Sequence, residues 1–275
     1  MSVAIDLSGR RVLVVGGSSG IGRSTALAAA SAGAAIAVVG RSEEKLAEVV
    51  ATAGGGTAIA ADVRDPDRCS GLVTEAADAM GGLDAVIISS AMSPLAPLDE
   101  VSPATWHDVM TTNAIAPALV AQAALDRLSD DGIVLFISSI TVGVVHHGLA
   151  SYAASKAALD RTVRAWRMER PDHRFVCLAV GDTMGTDFAR DFDAGKAGEL
   201  FPKWLAASVI YQNHMESEDL GGAIAEIVAM LFAHPGLTFP EMTIVPPGPM
   251  MSLDQAELAT MLQDAVGVAD AAGGT

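Results

Sequence analysis

A doubly wound α/β fold, in which one parallel sheet is covered by helices on both faces, is predicted by three features of the sequence. Short β-branched apolar runs recur from residue 11 to about 180 with no polar alternation, the mark of strands buried on both faces. Longer Ala- and Leu-rich stretches of helical period separate them, and strand followed by helix, repeated, generates a parallel sheet. The composition suits it: 51% of the 275 residues are hydrophobic and 18% are charged, enough apolar surface for a large core.

The expected strands are Arg11 to Val15, Ala35 to Val39, Thr57 to Ala60, Ala85 to Ile88, Ile133 to Ile137 and Phe175 to Val180. Between them, helices are expected near 21–33, 43–53, 66–80, 103–128 and 152–169, with Ser42 and Ser102 as start signals. No repeat of 20 to 50 residues and no linker breaks this part. After Gly181 the rhythm changes. Residues 182–216 mix acids with Phe188, Phe192, Phe201, Trp204 and Tyr211 in no regular period, which predicts a lid rather than ordinary core. A helix near 218–232 and a strand near 241–245 complete one domain over 1–248, and 249–275 is a C-terminal extension with a short helix expected at 252–266 and a frayed end.

Charge and cysteine usage exclude several classes. The net charge is −16, and residues 182–275 hold 3 basic against 14 acidic side chains, a surface that repels phosphate backbones and anionic lipid. No nucleic-acid or membrane partner is expected, and no uninterrupted apolar run is long enough to span a bilayer. Cys69 and Cys177 are too few for a disulfide framework or a Cys-rich zinc site. With no apolar signal core in MSVAIDLSGR, a reducing cytoplasm is the expected location. His146-His147 offers no second ligand pair at metal-binding spacing, so no metal is expected, and a plain loop is a simpler reading than a place on the pocket rim. Cys177 reads as an inert core thiol, and Met250-Met251 as packing.

The chemistry gathers at two places. The first strand runs into Gly16-Gly17-Ser18-Ser19-Gly20-Ile21-Gly22 and then directly into a helix. Glycines there permit a tight turn and close backbone approach, and the helix start offers free N–H groups to a pyrophosphate. The second place is Tyr152-Ala153-Ala154-Ser155-Lys156. A phenol is a poor base at neutral pH, but a cation four residues along shares its helix face and favours the phenolate. So tuned, it can exchange a proton with a carbonyl or alcohol oxygen.

With Ser139 thirteen residues before Tyr152 and Asn113 in the long fourth helix, these motifs resemble the short-chain dehydrogenase/reductase family over about residues 7–248. The resemblance implies a Rossmann-type single domain and an NADP-preferring oxidoreductase that moves a hydride between a nicotinamide and a carbonyl/alcohol pair. Asn113, Ser139, Tyr152 and Lys156 are the implied catalytic set: Ser139 orients the carbonyl oxygen, Asn113 positions a water in a proton relay, and Lys156 also holds the nicotinamide ribose. The implied cofactor contacts are Gly16, Ser18, Ser19, Gly20, Ile21, Gly22, Arg41, Ser42, Asp62, Val63, Ser89, Ser90, Tyr152, Lys156 and Gly181. Asp62-Val63 looks like the family's adenine-contacting pair.

The chain departs from the family pattern at Val15, at Ile88-Ser89-Ser90-Ala91 and at Val180-Gly181, all beside the implied cofactor. A cofactor-binding regulatory or scaffold protein that has lost catalysis is therefore the competing reading, with dehydratase or epimerase outcomes a smaller rival. Past the second strand, Gly40-Arg41-Ser42 replaces the acid that would accept from an adenosine 2′-hydroxyl, so a 2′-phosphate is favoured and NADP is preferred over NAD. The expected substrate is a small carbonyl or alcohol compound of apolar character. Ala-rich faces on 103–128 and 152–169 resemble the family's intersubunit helices and imply a homotetramer or homodimer.

Overall fold

The computed structural model of the chain describes residues 5–251. Its elements run β1 (Arg11–Val15), α1 (Gly20–Ser31), β2 (Ala35–Gly40), α2 (Glu43–Thr52), β3 (Thr57–Ala60), α3 (Pro66–Met80) and β4 (Leu83–Ile88). They continue through α4 (Pro103–Met110), α5 (Ala116–Ala124), β5 (Leu128–Ser139), α6 (Ala150–Glu169), β6 (Arg174–Val180) and β7 (Thr183–Met184). The last are α7 (Ala194–Ala206), β8 (Met215–Glu216), α8 (Ser217–Ala233) and β9 (Glu241–Ile244). Seven strands form one sheet in the order β3-β2-β1-β4-β5-β6-β9, and every pairing is parallel. The predicted doubly wound architecture is therefore present.

Strand alternation divides the core into two layers. Leu13, Val15, Val86, Val134 and Phe136 point to one face and pack under α3, α5 and α6 with Leu72, Val120 and Leu159. Val12, Val14, Ile87, Leu135 and Leu178 point to the other and meet α1, α2 and α8 through Ala26, Leu46, Ile224 and Leu231. Both faces being covered explains why the strands read as unbroken apolar runs. Because β1 lies between β2 and β4, the chain leaves β1 in opposite directions on its two excursions, and a crevice opens at the carboxyl ends of β1 and β4.

Two expected elements differ. The helix predicted over 103–128 is broken by a π-helical turn at Thr111–Ile115 and ends at Ala124, while β5 begins at Leu128 rather than at 133. An extra residue in such a turn re-aims the side chains that follow, and functional sites often use it. Residues 182–216, expected to be irregular, contain α7. Its pattern is hidden because Gly195 and Gly198 weaken the helix signal and Pro202 lies inside it. Leu200 and Trp204 from α7 close a third small core with Leu95, Leu149 and Val209, so part of this segment is packing. The helix expected at 252–266 lies outside the described residues.

Candidate active site

The crevice holds one cavity of about 650 Å³, lined from all the carboxyl-end loops of β1 to β6. Its floor is the turn after β1. Gly16 has φ +85°, and a Cβ there would lie 2.6 Å from the Ser90 amide nitrogen, so the turn both bends and admits the β4 loop because the residue is glycine. Gly22 serves packing: a Cβ would stand 2.2 Å from the Gly16 carbonyl oxygen, which would push α1 off the turn. The start of α1 is unspent, since Ser19 makes no capping hydrogen bond and the first turn carries no acid. Its N–H groups and dipole face the cavity, where Gly16, Ser18, Ser19, Gly20 and Ile21 form the wall.

Tyr152 and Lys156 project from α6 into the same cavity, opposite Ser139 at the end of β5. All three are buried, at 6%, 2% and 6% exposure. Burial pushes the Tyr152 phenol up to about 12, with a hydrogen bond from Ser139 pulling the other way. Lys156 is pulled down to about 8, again mainly by burial, while Asp160 opposes the fall. The Lys156 ammonium donates to the Ile137 carbonyl at 2.8 Å and lies 5.9 Å from the centre of the Tyr152 ring. The lowering of the phenol expected from Lys156 is thus absent in this arrangement: desolvation wins, and the amine is occupied by the backbone. A buried phenol raised this far is protonated throughout the neutral range, ready to act as an acid.

Asn113 lies in the π turn with no exposed surface and off the cavity wall. Its amide accepts from the Met92 N–H at 2.9 Å and donates to the Met92 carbonyl at 2.8 Å and to Ser155 Oγ at 2.9 Å. Every polar atom of the side chain is engaged. These bonds clamp the β4 loop to α6.

At the far end of the cavity Arg41, Asp62, Val63 and Arg64 come together. The Asp62 carboxyl is held below the usual range, first by the Arg64 guanidinium, which donates to it at 2.6 Å, and more weakly by Arg41. Ser42 is not on the wall; its hydroxyl accepts from the Lys45 N–H at 3.3 Å as the N-cap of α2. Ser89, Ser90 and Gly181 line the middle of the cavity, and Ser90 Oγ is buried there with no hydrogen-bond partner. A buried hydroxyl without a partner costs free energy unless a ligand supplies one. Together the uncapped helix start, the glycine cradle, the orphaned Ser90 hydroxyl and the Arg41/Arg64 pair fit a dinucleotide bearing anionic groups.

The outer wall is aromatic. Phe188 meets the Tyr152 ring edge-on at 5.4 Å, and Phe192, Phe201 and Trp204 continue the series at centroid spacings of 5.5, 6.4 and 4.7 Å. Trp204 Nε1 donates to the His147 carbonyl at 2.7 Å, and the buried His146 ring sits between the Val144 and Val209 carbonyls at 3.1 and 3.0 Å. His146, expected to lie in a plain loop, therefore fastens α7 to the loop after β5. Met251, expected only to pack, lines the cavity because residues 249–251 bond to Ile210 and Gln212. Cys177 is buried and its thiol is pushed up to about 12, in keeping with an inert core thiol.

Arg64, Thr112, Asp182, Thr186 and Met251 join the wall without having been singled out as site residues. Only Arg64, two residues beyond Asp62, carried a local signal. Among the described residues no cluster of three or more metal-binding side chains occurs, and no helix is long and apolar enough to cross a membrane.

The chain is similar to proteins of one family. The short chain dehydrogenase family model matches residues 10–197. Hydroxynaphthalene reductase arp2 of Aspergillus fumigatus is 36% identical over 165 residues, a match covering 58% of this chain and 60% of that reductase. An uncharacterized oxidoreductase of Methylorubrum extorquens is 30% identical over 80% of this chain and 90% of its own length. Among solved structures, a short chain dehydrogenase from Burkholderia cenocepacia in complex with NADP superposes with a TM-score of 0.76 at 26% identity, covering 87% of this chain and 97% of that one. A dehydrogenase/reductase from Sinorhizobium meliloti gives 0.75 at 28% identity, over 88% and 96% of the two chains.

Proposed function

This chain belongs to the short chain dehydrogenase family, and from that premise we propose that it is an NADPH-preferring reductase of apolar, ring-bearing carbonyl compounds. The observation that carries the reading is the meeting of Ser139, Tyr152 and Lys156 in one buried cluster on the wall of a cavity whose other end is cationic. When bound along the glycine turn and the Arg41 end, the nicotinamide cofactor supplies the hydride that the carbonyl carbon receives. The chain supplies the rest. Ser139 orients the carbonyl oxygen, and Tyr152 gives up its phenolic proton as negative charge develops there. An alkoxide is the stronger base, so the transfer runs downhill even from a phenol raised to about 12. Lys156, the cation on the same buried wall, attracts the phenolate charge as it forms, although it does not offset the desolvation of the resting, neutral phenol.

Cofactor choice rests on Arg41 and Arg64, whose guanidinium groups favour a 2′-phosphate in a neighbourhood with Asp62 already paired. NADPH should bind more tightly than NADH, and Arg41→Ala should narrow the gap by about 1 to 3 kcal/mol, the scale of a charge-assisted contact. Fluorescence titration of both cofactors checks this, and equal affinities in the unmutated protein would sink the preference.

The substrate reading rests on the aromatic series, and the printed name of the fungal reductase points the same way, toward a fused aromatic ring. Phe201 is 38% exposed and lines the cavity, so Phe201→Ala removes contact area without opening a core. With bicyclic aryl ketones KM should rise about tenfold while cofactor affinity holds, and short aliphatic ketones should be unaffected. A variant with unchanged KM for every active ketone would remove the aromatic wall from the account.

The assembly proposed is a homotetramer or homodimer in the cytoplasm. Ile115, 48% exposed on the π turn, and the exposed Ala154 and Ala157 on α6 leave a smooth face on which helices of two copies can approach closely. Sedimentation at micromolar concentration should give a multiple of the 28.1 kDa chain mass, and a monomer would refute it.

A further inference from the structure

Four side chains at intervals of four residues run along α6: Tyr152, Lys156, Asp160 and Arg164. Such spacing stacks them on one face. The first two have been given a role in the preceding reading. Asp160 has not, yet its Oδ1 accepts from Ser138 Oγ at 2.5 Å and from Cys177 Sγ at 3.3 Å, two buried donors on β5 and β6. Ser138 is flanked in the chain by Ile137, whose carbonyl holds Lys156, and by Ser139, which faces Tyr152. At the outer end Arg164 donates to Glu241 at 2.7 Å, so the row ends in a surface ion pair.

We propose that Asp160 is a positioning residue for proton transfer: it fixes the stretch Ile137 to Ser139 through Ser138, and it is the counter-charge that keeps the buried Lys156 ammonium protonated. The proposal rests on the reading that Tyr152 and Lys156 carry the proton step. A cation at 2% exposure with one backbone acceptor needs an opposing charge nearby. The groups that face Lys156 are Tyr152 and Asp160 from its own helix, the Ile137 carbonyl from β5 and Cys177 from β6, with Asp182 on the wall of the same cavity. Tyr152 and Cys177, both raised to about 12, are uncharged at neutral pH. Asp160 raises the proton affinity of Lys156 against the desolvation that pulls it down to about 8.

The chain has four lysines, Lys45, Lys156, Lys196 and Lys203, so the side-chain ¹⁵N resonance of Lys156 can be assigned by its loss in Lys156→Met. In Asp160→Asn, which keeps shape and an acceptor for Ser138 but removes the charge, the Lys156 titration midpoint should fall by about one pH unit or more, tenfold in proton affinity. The basic limb of kcat/KM for ketone reduction should move down by the same amount. Asp160→Glu keeps the charge and should hold the midpoint near its unmutated position. A midpoint unmoved in Asp160→Asn, even with a lowered Tm, overturns the proposal and leaves Asp160 a structural hydrogen-bond acceptor. So does a midpoint that falls equally in Asp160→Glu, the variant that decides if Asp160→Asn does not fold. Because the resonance is read without turnover, a protein that reduces no ketone would defeat the proposed function while leaving the Lys156 midpoint to decide on Asp160.

Discussion

Tyr152→Phe should retain the fold and the cofactor while kcat falls by about 100-fold or more, the usual worth of a positioned acid. The ring contributes packing through its edge contact with Phe188 and keeps it in the variant, since only the hydroxyl is lost. That hydroxyl belongs to a buried residue on the cavity wall it shares with Ser139, so its removal costs the fold about 1 kcal/mol at most. Stopped-flow measurement of NADPH oxidation separates the two effects, because binding is read before chemistry. A fully active Tyr152→Phe would overturn the assignment of the acid.

Lys156→Met should abolish turnover and stabilise the protein. The two effects have one cause. Lys156 titrates at about 8 in the folded chain against 10.5 when exposed, so at pH 7 the fold bears a buried charge that water would solvate better by roughly 3 kcal/mol. Between pH 8 and 10.5 the unfolded chain binds more protons than the folded one, so stability rises with pH across that window. Methionine has similar length and no charge, and the variant should gain about 1 to 2 kcal/mol at pH 7, a gain that shrinks toward pH 10.5. The net gain is smaller than the full penalty because Asp160 loses its counter-ion and the Ile137 carbonyl a donor. Chemical denaturation at several pH values measures it. A destabilised Lys156→Met, or a gain that grows with pH, would contradict the picture of a strained buried cation. For the unmutated enzyme, reduction should be fastest below about pH 8 and fall above it as Lys156 loses its proton.

The sequence made legible what depends on local pattern. The unbroken runs such as Val12 to Val15 and Ile133 to Ile137 state burial on both faces, and the structure places them in the centre of the sheet. Gly16 and Gly22 could be read because a turn and a close helix approach demand glycine at that spacing. Tyr152 and Lys156 could be read because four residues make one helical turn. What was hidden depends on pieces far apart in the chain. Met251 reaches the cavity only because its N–H bonds to the Ile210 carbonyl, and Thr186 only because its backbone passes over Gly20. Asn113 can be read as a helix-borne polar residue and Ser42 as the start of α2, but that Asn113 also holds the loop after β4 depends on Met92, 21 residues away. The strength of Lys156 as a cation was likewise beyond the spacing, since burial rather than proximity to Tyr152 sets it.

The central claim is that this cavity reduces a carbonyl rather than merely holding a dinucleotide, and product analysis tests it most directly. The unmutated protein is incubated with NADPH and a panel of ketones weighted toward bicyclic aryl compounds, and alcohol formed is measured against NADPH spent. The account predicts one alcohol for each NADPH consumed, with both lost in Tyr152→Phe. A protein that binds NADPH tightly, yet yields no alcohol from any ketone in the panel, would contradict it and make the chain a cofactor-binding protein of the same fold.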